Sequence, residues 1–437
     1  EALLAFHEGR YPRALELTQQ AFERVPWLYE ARVLEADIHV ASSAGATRGG
    51  RLDESRAALS AAAEALQAAA RIGESDRVVR ERLCGLWTTA LHIEVWQEAR
   101  RNAETYDRAT AACRDVLIVD PDSVAGRVGL LEAASCWAEY ALTHGEDPTA
   151  TLDAGIAAAR VALDLQPDNA QAHALVGLAL WQLGKHHYQT RRDPRAAFDE
   201  ATRHVERSLE LQPRSVEALS TLGLLHLDRG AWEAYSGVDA VPSFEKAAAT
   251  FTALSELQPA DPAPRVNLGI AHVAMLEHLV RTGRGDPEAV AAKAIAAFKS
   301  SLEINSNLYW TYAFLGAVHV AMARLSEKRD TDPTSTLDAA LTSLNRAIEL
   351  GPSDPRAYRS LCEVHAMRAS WELFLGRRPD GALRAGRQAL ARLRTLTGQD
   401  TMAQYHAEVF DYLENEARKL RRKDMLEGKG VGGGTSQ

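Results

Sequence analysis

The sequence lacks several features that mark common classes of protein. It contains only four cysteines, Cys84, Cys113, Cys136 and Cys362, in 437 residues, and no two of them form a CxxC pair. This spacing predicts reduced thiols in a cytoplasmic protein rather than a disulfide framework or a zinc site. No run of about 18 uncharged apolar residues occurs, so no membrane-spanning helix is predicted. A basic-then-apolar leader is also missing, so no secretion signal is predicted.

Positive charge is in deficit as well. The 50 Lys and Arg residues are outnumbered by 59 Asp and Glu, for a formal net charge of −9. Nucleic acid requires a basic surface, so no nucleic-acid partner is predicted. The motifs of common enzymes are absent: there is no GxxxxGK[ST] phosphate loop, no HExxH, no GxSxG and no kinase HRD or DFG. The sequence therefore predicts no catalytic residue and no cofactor.

What the chain does contain is a repeat. A phrase that ends in L-x-L-x-P, or in a close variant of it, recurs, and its prolines, which we call anchors, follow one another at intervals of 46 residues from Pro121 to Pro259. Each anchor is followed within about three residues by a helical pattern of about twenty residues, and a second helix is predicted to start at a proline 19 residues before the next anchor. Such self-similarity predicts an all-α solenoid. The anchors lie at Pro26, Pro121, Pro167, Pro213, Pro259 and Pro352, and the same spacing places two more near Glu74 and Ser306.

Small and large residues occupy fixed positions relative to these anchors. Ten residues after an anchor the residue is mostly small, as at Gly269, and eight residues before an anchor it is often large and apolar, as at Phe298. This pattern resembles the tetratricopeptide repeat (TPR), lengthened from about 34 residues to about 46. The resemblance implies a right-handed α-α superhelical solenoid over residues 1–397 and a capping helix over residues 398–426. The glycine-rich residues 427–437 are predicted to be a disordered tail.

The resemblance also implies a partner-binding groove along the first helices, at positions four, seven, eleven, fourteen and fifteen after each anchor. These positions are largely apolar in the middle of the chain, which favours a protein or peptide partner that presents an amphipathic helix or an apolar segment. The alternative is that the longer helices close the groove and bury these residues against one another. The candidate partner-binding residues are Trp181, Leu224, Leu227, Ile270, Val273, Trp310, Arg356 and Arg359. The same positions also include Gln171, Leu178, Gln182, Glu217 and Glu363.

Histidine recurs thirteen residues after five of the anchors, at His39, His226, His272, His319 and His365. One ring per repeat places neighbouring rings about 10 Å apart, the distance between packed helices, which is too far for two rings to share a metal. The rings are therefore predicted to pack between helices, and no metal site is predicted.

The cysteines are predicted to be packing residues too. Cys84 and Cys362 occupy the small position after an anchor and Cys113 lies on a second helix, where a buried thiol acts as a small hydrophobe. Cys136 is the least constrained of the four and is expected to be the one that could be exposed.

Two phrases, PWLYEARVLEAD and HGEDPTATLDAGIAAA, are similar to the C-terminal regions of large bacterial Ser/Thr protein kinases, such as those of myxobacteria. This resemblance implies a regulatory or partner-recruiting region of a larger signalling protein, whose kinase domain is not in this chain. The sequence thus predicts a cytoplasmic, non-catalytic scaffold for protein–protein interaction. The alternative is a helical-repeat domain of a signalling or transcription regulator that senses a small molecule in the groove.

Overall fold

A computed structural model of the chain describes residues 1–48, 51–96, 103–397 and 401–426. Within these ranges the regular structure is helical and there is no β-strand, which confirms the predicted all-α class. Among the helices so described, none combines the length and the apolar character that a membrane crossing needs. Residues 398–400, at the start of the predicted capping helix, and the predicted tail over residues 427–437 lie outside the described residues.

Two kinds of helix alternate along the chain, as the 46-residue period predicts. A first helix starts three or four residues after each anchor, and a second helix ends just before the next anchor. The first helices are α3 (Tyr29–Arg48), α5 (Arg77–Trp96), α7 (Val124–His144), α9 (Ala170–Gln189), α11 (Val216–Tyr235), α13 (Ala263–Thr282), α15 (Tyr309–Lys328) and α17 (Pro355–Phe374). The second helices are α2 (Tyr11–Arg24), α4 (Leu52–Ile72), α6 (Ala103–Val119), α8 (Thr149–Leu165), α10 (Arg195–Leu211), α12 (Val241–Leu257), α14 (Pro287–Ile304), α16 (Thr334–Leu350) and α18 (Asp380–Thr397). A short helix α1 (Ala2–His7) precedes them, and α19 (Thr401–Leu426) follows.

The chain divides into two compact units, unit 1 (residues 1–225) and unit 2 (residues 226–437), and the boundary lies within α11. Inside each unit a first helix packs against the second helix that follows it and against the next first helix. Unit 1 has an apolar cluster on α7–α10 that includes Leu131 and Phe198. Unit 2 has one cluster around Phe244 and Phe298, and another that reaches Phe410 in α19.

The small residue after each anchor lets the two helices of a hairpin approach closely. A Cβ built on Gly269 in α13 would fall under 3.0 Å from the Phe298 ring of α14, and one on Gly316 in α15 would come equally close to Leu344 of α16. Real Cβ atoms do not approach other atoms this closely, so a side chain at either position would force the facing residue to shift. The large residue eight positions before the next anchor fills the space that glycine leaves, as the repeat pattern predicts.

Four of the second helices begin at a proline that follows an aspartate. In three of them the helix starts one residue later than predicted. In α14, Asp286 is the N-cap, its carboxylate accepts a hydrogen bond from the Ala289 N–H at 2.9 Å, and Pro287 is the first helical residue. In three other second helices the proline is itself the N-cap. The preceding aspartate then accepts from the N–H two residues further on, as Asp147 does from Thr149 at 2.9 Å. These three prolines are Pro148, Pro194 and Pro333.

The prediction of reduced thiols is wrong for two of the four cysteines. Cys84 of α5 and Cys113 of α6 form a disulfide, with their Cα atoms 4.6 Å apart. Cys84 lies ten residues after the anchor at Glu74, and Cys113 lies eight residues before the anchor at Pro121. These are the same two positions that face each other as glycine and a large residue in other hairpins, and this is why the two sulfurs meet.

The other two cysteines keep their thiols, and both are buried. The expectation that Cys136 could be exposed is therefore also wrong. It belongs to an apolar cluster with Leu91 of α5 and Ala133 of α7. Burial raises the pKa of the Cys362 thiol to about 12, so this residue is a packing element rather than a nucleophile.

Candidate functional site

Two cavities lie side by side in unit 1. Both are walled by α5, α7, α9 and the turns between hairpins, and the larger one also reaches the start of α11. The larger has a volume of about 530 Å³ and includes Ser135 in its wall, so we call it the Ser135 cavity. The smaller has a volume of about 460 Å³ and includes Cys84, so we call it the Cys84 cavity. They share Glu132 and Gln171. The first helices thus form a continuous recessed face in this unit.

The walls are built from the groove positions that the TPR resemblance implies. Gln171 and Glu217 lie four residues after an anchor and Leu178 lies eleven after one, and all three line the Ser135 cavity. Glu132 and Ser135 are not among the residues predicted above. The same offsets, counted from the anchor at Pro121, point to both of them, at eleven and fourteen residues.

Negative charge dominates the Ser135 cavity. Its described lining residues include two carboxylates, Glu132 and Glu217, and neither Lys nor Arg. Burial raises the pKa of Glu132, and a hydrogen bond from Thr88 opposes that rise. Burial lowers the pKa of His92, which favours a neutral ring in the opposite wall. The cavity is therefore suited to a ligand that carries positive charge.

Two buried polar groups at this site have no hydrogen-bond partner among the described residues. Gln182 of α9 is fully buried, and its Nε2 donates to the Ser135 carbonyl at 3.0 Å, which ties α9 to α7. Its Oε1 is unpaired. Ser135 lines the cavity with only 3% of its surface exposed, and its Oγ is unpaired too. An unpaired buried polar group costs about 1–3 kcal/mol, so a ligand that satisfies one gains affinity.

A larger cavity of about 1100 Å³ lies elsewhere in unit 1, between α4, α5 and α6. Its wall mixes charges of both signs and so does not favour a ligand of either charge. The charged residues of the wall are Glu64, Arg71, Glu74, Arg80, Arg108 and Asp115.

Two of the candidate partner-binding residues, Trp181 and Leu224, belong to unit 1 and do not line the Ser135 cavity. Trp181 is 3% exposed and packs in the apolar cluster of α7–α10 with Leu180 and Phe198. Leu224 is half-buried against the same cluster. Trp181 is therefore buried, although the TPR resemblance implies that its position lines the groove.

The structure brings four predicted groove residues together in unit 2. Val273 is 7% exposed and belongs to one apolar cluster, and Leu227, Ile270 and Trp310 pack against that cluster half-buried. The Trp310 ring meets the Tyr309 ring edge-on, with 5.0 Å between ring centres. Trp310 is thus partly available to a partner, whereas Val273 is not.

Of the two predicted arginines on α17, Arg356 is exposed and Arg359 is half-buried. Arg356 donates from Nε to the Asp354 carboxylate at 3.0 Å, and its Cζ lies 5.8 Å from the centre of the Phe314 ring. Further along the helix, Glu363 accepts a hydrogen bond from Nε of Arg324 in α15 at 2.6 Å. Arg356 and Glu363 therefore both bind partners within unit 2.

The recurrent histidines are half-buried on the first helices. Burial and, to a smaller extent, Lys246 lower the pKa of His226 to about 4. Burial and Lys293 do the same for His272. A neighbouring ammonium group opposes binding of a second cation, including a metal ion. Among the residues that the structure describes, no group of three or more His, Cys, Asp or Glu is placed to hold a metal.

No protein-family model matches the chain, and no curated protein matches it. Among solved structures, it is similar to the human IFIT1 dimer with PPP-AAAA, at 17% identity over 97% of this chain and 81% of that chain, with a TM-score of 0.47. It is similar to a thermophilic TPR protein from Thermus thermophilus, at 18% identity over 53% of this chain and 98% of that chain, with a TM-score of 0.36. A TPR protein from Parabacteroides merdae aligns at 14% identity over 76% of this chain and 98% of that chain, with a TM-score of 0.39. The fold of this chain is an all-α, TPR-like helical repeat.

Proposed function

We propose that the chain is a non-catalytic scaffold that binds a segment of a partner protein along the first helices of unit 1. The observation that carries this proposal is the pair of adjoining cavities that share Glu132 and Gln171. A recessed face of packed helices offers pockets for successive side chains of a bound segment. The buried Gln182 ties two of these helices together, so the face is preorganised and binding orders little of the scaffold.

The walls of the Ser135 cavity indicate the chemistry of the partner. Leu175 and Leu178 supply an apolar side, and Glu132 and Glu217 supply an acidic one. An amphipathic segment with apolar and basic side chains is complementary to both. An acidic lining is also unfavourable for nucleic acid, whose phosphates would meet carboxylates.

Site-specific photo-crosslinking tests this location. A photoreactive amino acid is introduced at Leu178, which lines the Ser135 cavity, and the chain is crosslinked in cells of its source. The matched control carries the same group at Val161, which is exposed on α8 in the same unit. We expect a partner that crosslinks at position 178 and not at position 161.

The captured partner is then purified and titrated against the wild-type chain and a Leu178→Arg variant. A bulky charged residue in the wall should weaken binding by tenfold or more, since loss of a central contact typically costs about 2 kcal/mol. Equal crosslinking at the two positions, or unchanged affinity in a folded Leu178→Arg variant, would rule out this face as the interaction site.

The small-molecule sensor proposed from the sequence has one observation in its favour. The Ser135 cavity of about 530 Å³ falls in the size range of ligand pockets, roughly 300–1,000 Å³. A thermal-shift screen of metabolites separates the two functions. A compound that raises the melting temperature of wild type and not of a Ser135→Trp variant would favour the sensor.

The remaining sequence predictions stay proposals. The proposal that the chain is a region of a larger Ser/Thr protein kinase depends on two phrases of the sequence. The proposal of a cytoplasmic location depends on the composition of the chain. A kinase recovered as the crosslinked partner, or fused to this chain in its source, would support the first.

We also propose that α19 ends the repeat array. It buries Ala403, Phe410 and Leu413 on one side, while Tyr405 and Tyr412 are exposed on the other. Deletion of α19 should lower the stability and the solubility of the chain, because it uncovers the apolar surface around Phe410.

A further inference from the structure

The Ser135 cavity has a composition that suits one kind of ligand group. Among the described residues, its lining combines carboxylates without Lys or Arg, an apolar wall and a buried hydroxyl that has no hydrogen-bond partner. From these observations we propose that it is a subsite for a basic side chain, the guanidinium of arginine or the ammonium of lysine, presented by the partner segment. This inference rests on the proposed scaffold function and specifies what its central pocket recognises.

Charge is the first observation. Glu132 and Glu217 approach the cavity from α7 and α11, and no Lys or Arg is among its described lining residues. Other carboxylates in unit 1 do have such partners: Glu200 accepts from Arg160 at 2.8 Å, and Asp168 accepts from Arg207 at 2.6 Å. A cation bound beside Glu132 would supply the neutralising charge that this buried carboxyl lacks.

Shape and polarity are the second observation. Ala174, Leu175 and Leu178 line one wall with hydrocarbon, which matches the apolar stem of an arginine or lysine side chain. Ser135 is only 3% exposed, and its Oγ has no partner among the described residues, so it is an acceptor for one N–H of the bound group. Acceptors and carboxylates without a competing cation favour a donor-rich group such as guanidinium.

The Ser135 wall is also held in place. Gln182 Nε2 donates to the carbonyl of Ser135 itself, at 3.0 Å. Its second, longer contact, 3.4 Å to Glu139 Oε2, is to the same helix, α7. The backbone of Ser135 is therefore tied to α9, whose residues form the apolar wall. An acceptor on a fixed backbone in the same cavity as a hydrocarbon wall gives the subsite a preference both for charge and for side-chain length.

A pair of matched probes tests the subsite without the partner. Nα-acetyl-arginine amide and Nα-acetyl-citrulline amide have the same shape, and only the first is charged. Each is titrated against the full chain up to a concentration on the order of 20 mM, above the roughly millimolar Kd expected for a single side chain, with binding followed by saturation-transfer NMR. We expect the arginine probe to bind at least tenfold more tightly than the citrulline probe, which corresponds to about 1.4 kcal/mol.

Isosteric variants locate the binding. Glu132→Gln and Glu217→Gln keep the size of each side chain and remove its charge, and each should weaken the arginine probe by about tenfold. Asp164→Asn removes a carboxylate of α8 that does not line the cavity, and should change nothing. A melting curve for each variant establishes whether it is folded. If a variant is not folded, the comparison of the arginine and citrulline probes on the wild-type chain still tests the subsite.

Three results would overturn the proposal: equal binding of the two probes, no binding of either probe, or undiminished arginine binding in the folded Glu132→Gln/Glu217→Gln double variant. The crosslinking at Leu178 is read separately. A partner crosslinked there with no preference for arginine over citrulline would refute the basic subsite and retain the scaffold. A clear arginine preference without any crosslinked partner would refute the scaffold and retain the subsite.

Discussion

The two units use the same repeat positions in different ways. In unit 1, positions eleven and fourteen after an anchor hold Glu132 and Ser135, which line a cavity. In unit 2, the same positions after Pro259 hold Ile270 and Val273, which pack into or against an apolar cluster. The hairpins themselves are alike in both units. Whether these positions line a cavity or help to fill a core therefore depends on the side chains that occupy them.

The largest expected effect is the loss of stability when a residue that fills a core, Trp181 of unit 1, is truncated. Trp181→Ala should cost about 3–5 kcal/mol of the free energy of unfolding, because a fully packed indole is removed from the core of unit 1. Trp310→Ala in unit 2 should cost less, about 1–3 kcal/mol, since its ring is only half-buried. Urea denaturation of both variants measures the difference. Equal losses would mean that Trp310 is as deeply packed as Trp181, and would remove it from the candidate partner-binding residues.

The next effect concerns the disulfide, which lies in unit 1. Reduction should lower the free energy of unfolding by about 2–4 kcal/mol, because the Cys84–Cys113 bond closes a loop with a sequence separation of 29. The Cys84→Ala/Cys113→Ala variant should show no further response to reductant, and Cys362→Ala should keep the full response. Alkylation and mass spectrometry of the protein purified without reductant provide the direct measurement. Four alkylated thiols under those conditions would contradict the bond.

The loss of stability caused by overpacking the small repeat position is expected to be smaller, and similar in the two units. Gly269→Leu in unit 2 and Gly177→Leu in unit 1 each place a side chain against a large residue of the paired helix, and each should cost about 1–3 kcal/mol. Gly45→Ala is the control, since a Cβ built there meets nothing within 4 Å. We expect that variant to keep or slightly raise the melting temperature. If all three variants melted alike, the small position would not be a helix contact.

The smallest effect concerns the pKa of His272, one of the recurrent histidines, in unit 2. The pKa of His272 is about 4 in the folded chain, below its ordinary value of 6.5, so between these values the unfolded chain binds the proton better. The contribution of the neutral His272 ring to the free energy of unfolding is therefore complete above pH 6.5, and it is lost as the pH falls towards 4. At pH 5 the loss is at most about 2 kcal/mol per ring. Comparing the stability of wild type and His272→Gln at pH 7 and pH 5 isolates this contribution. An equal pH response in both proteins would show that the ring titrates alike in the folded and unfolded chains.

Much of the fold could be predicted from the sequence because its signals are periodic. Anchors 46 residues apart give the starts of the first helices to within one residue, and the glycine position after each anchor gives the helix contact. The disulfide is a different case. Its two cysteines, 29 residues apart, have no recognisable motif, and they meet only because their offsets face each other across a hairpin. The pairing becomes visible when the offsets are read as contacts instead of as separate positions.

The candidate site was less predictable. Offsets borrowed from the shorter repeat find Leu178 and Glu217 in the cavity wall but place Trp181 there as well, although it is buried. Trp181 lies in the middle of α9 (Ala170–Gln189) and belongs to an apolar cluster that includes Phe198 of α10, so its burial depends on the packing of neighbouring helices and not on its offset alone. The unpaired Ser135 hydroxyl could not be inferred at all, since whether a serine finds a partner depends on the packing of several helices.

The glycine contacts have a consequence for how such a chain can change in length. Gly177 meets Val205, Gly269 meets Phe298 and Gly316 meets Leu344, and in each case the two partners belong to the same hairpin. A DNA segment that encodes one hairpin therefore encodes both residues of this close contact. Duplication, loss or transplantation of such a cassette requires no matching mutation elsewhere at these contacts. A chain built in this way can acquire a new set of wall residues by recombination, while its internal fit is inherited intact.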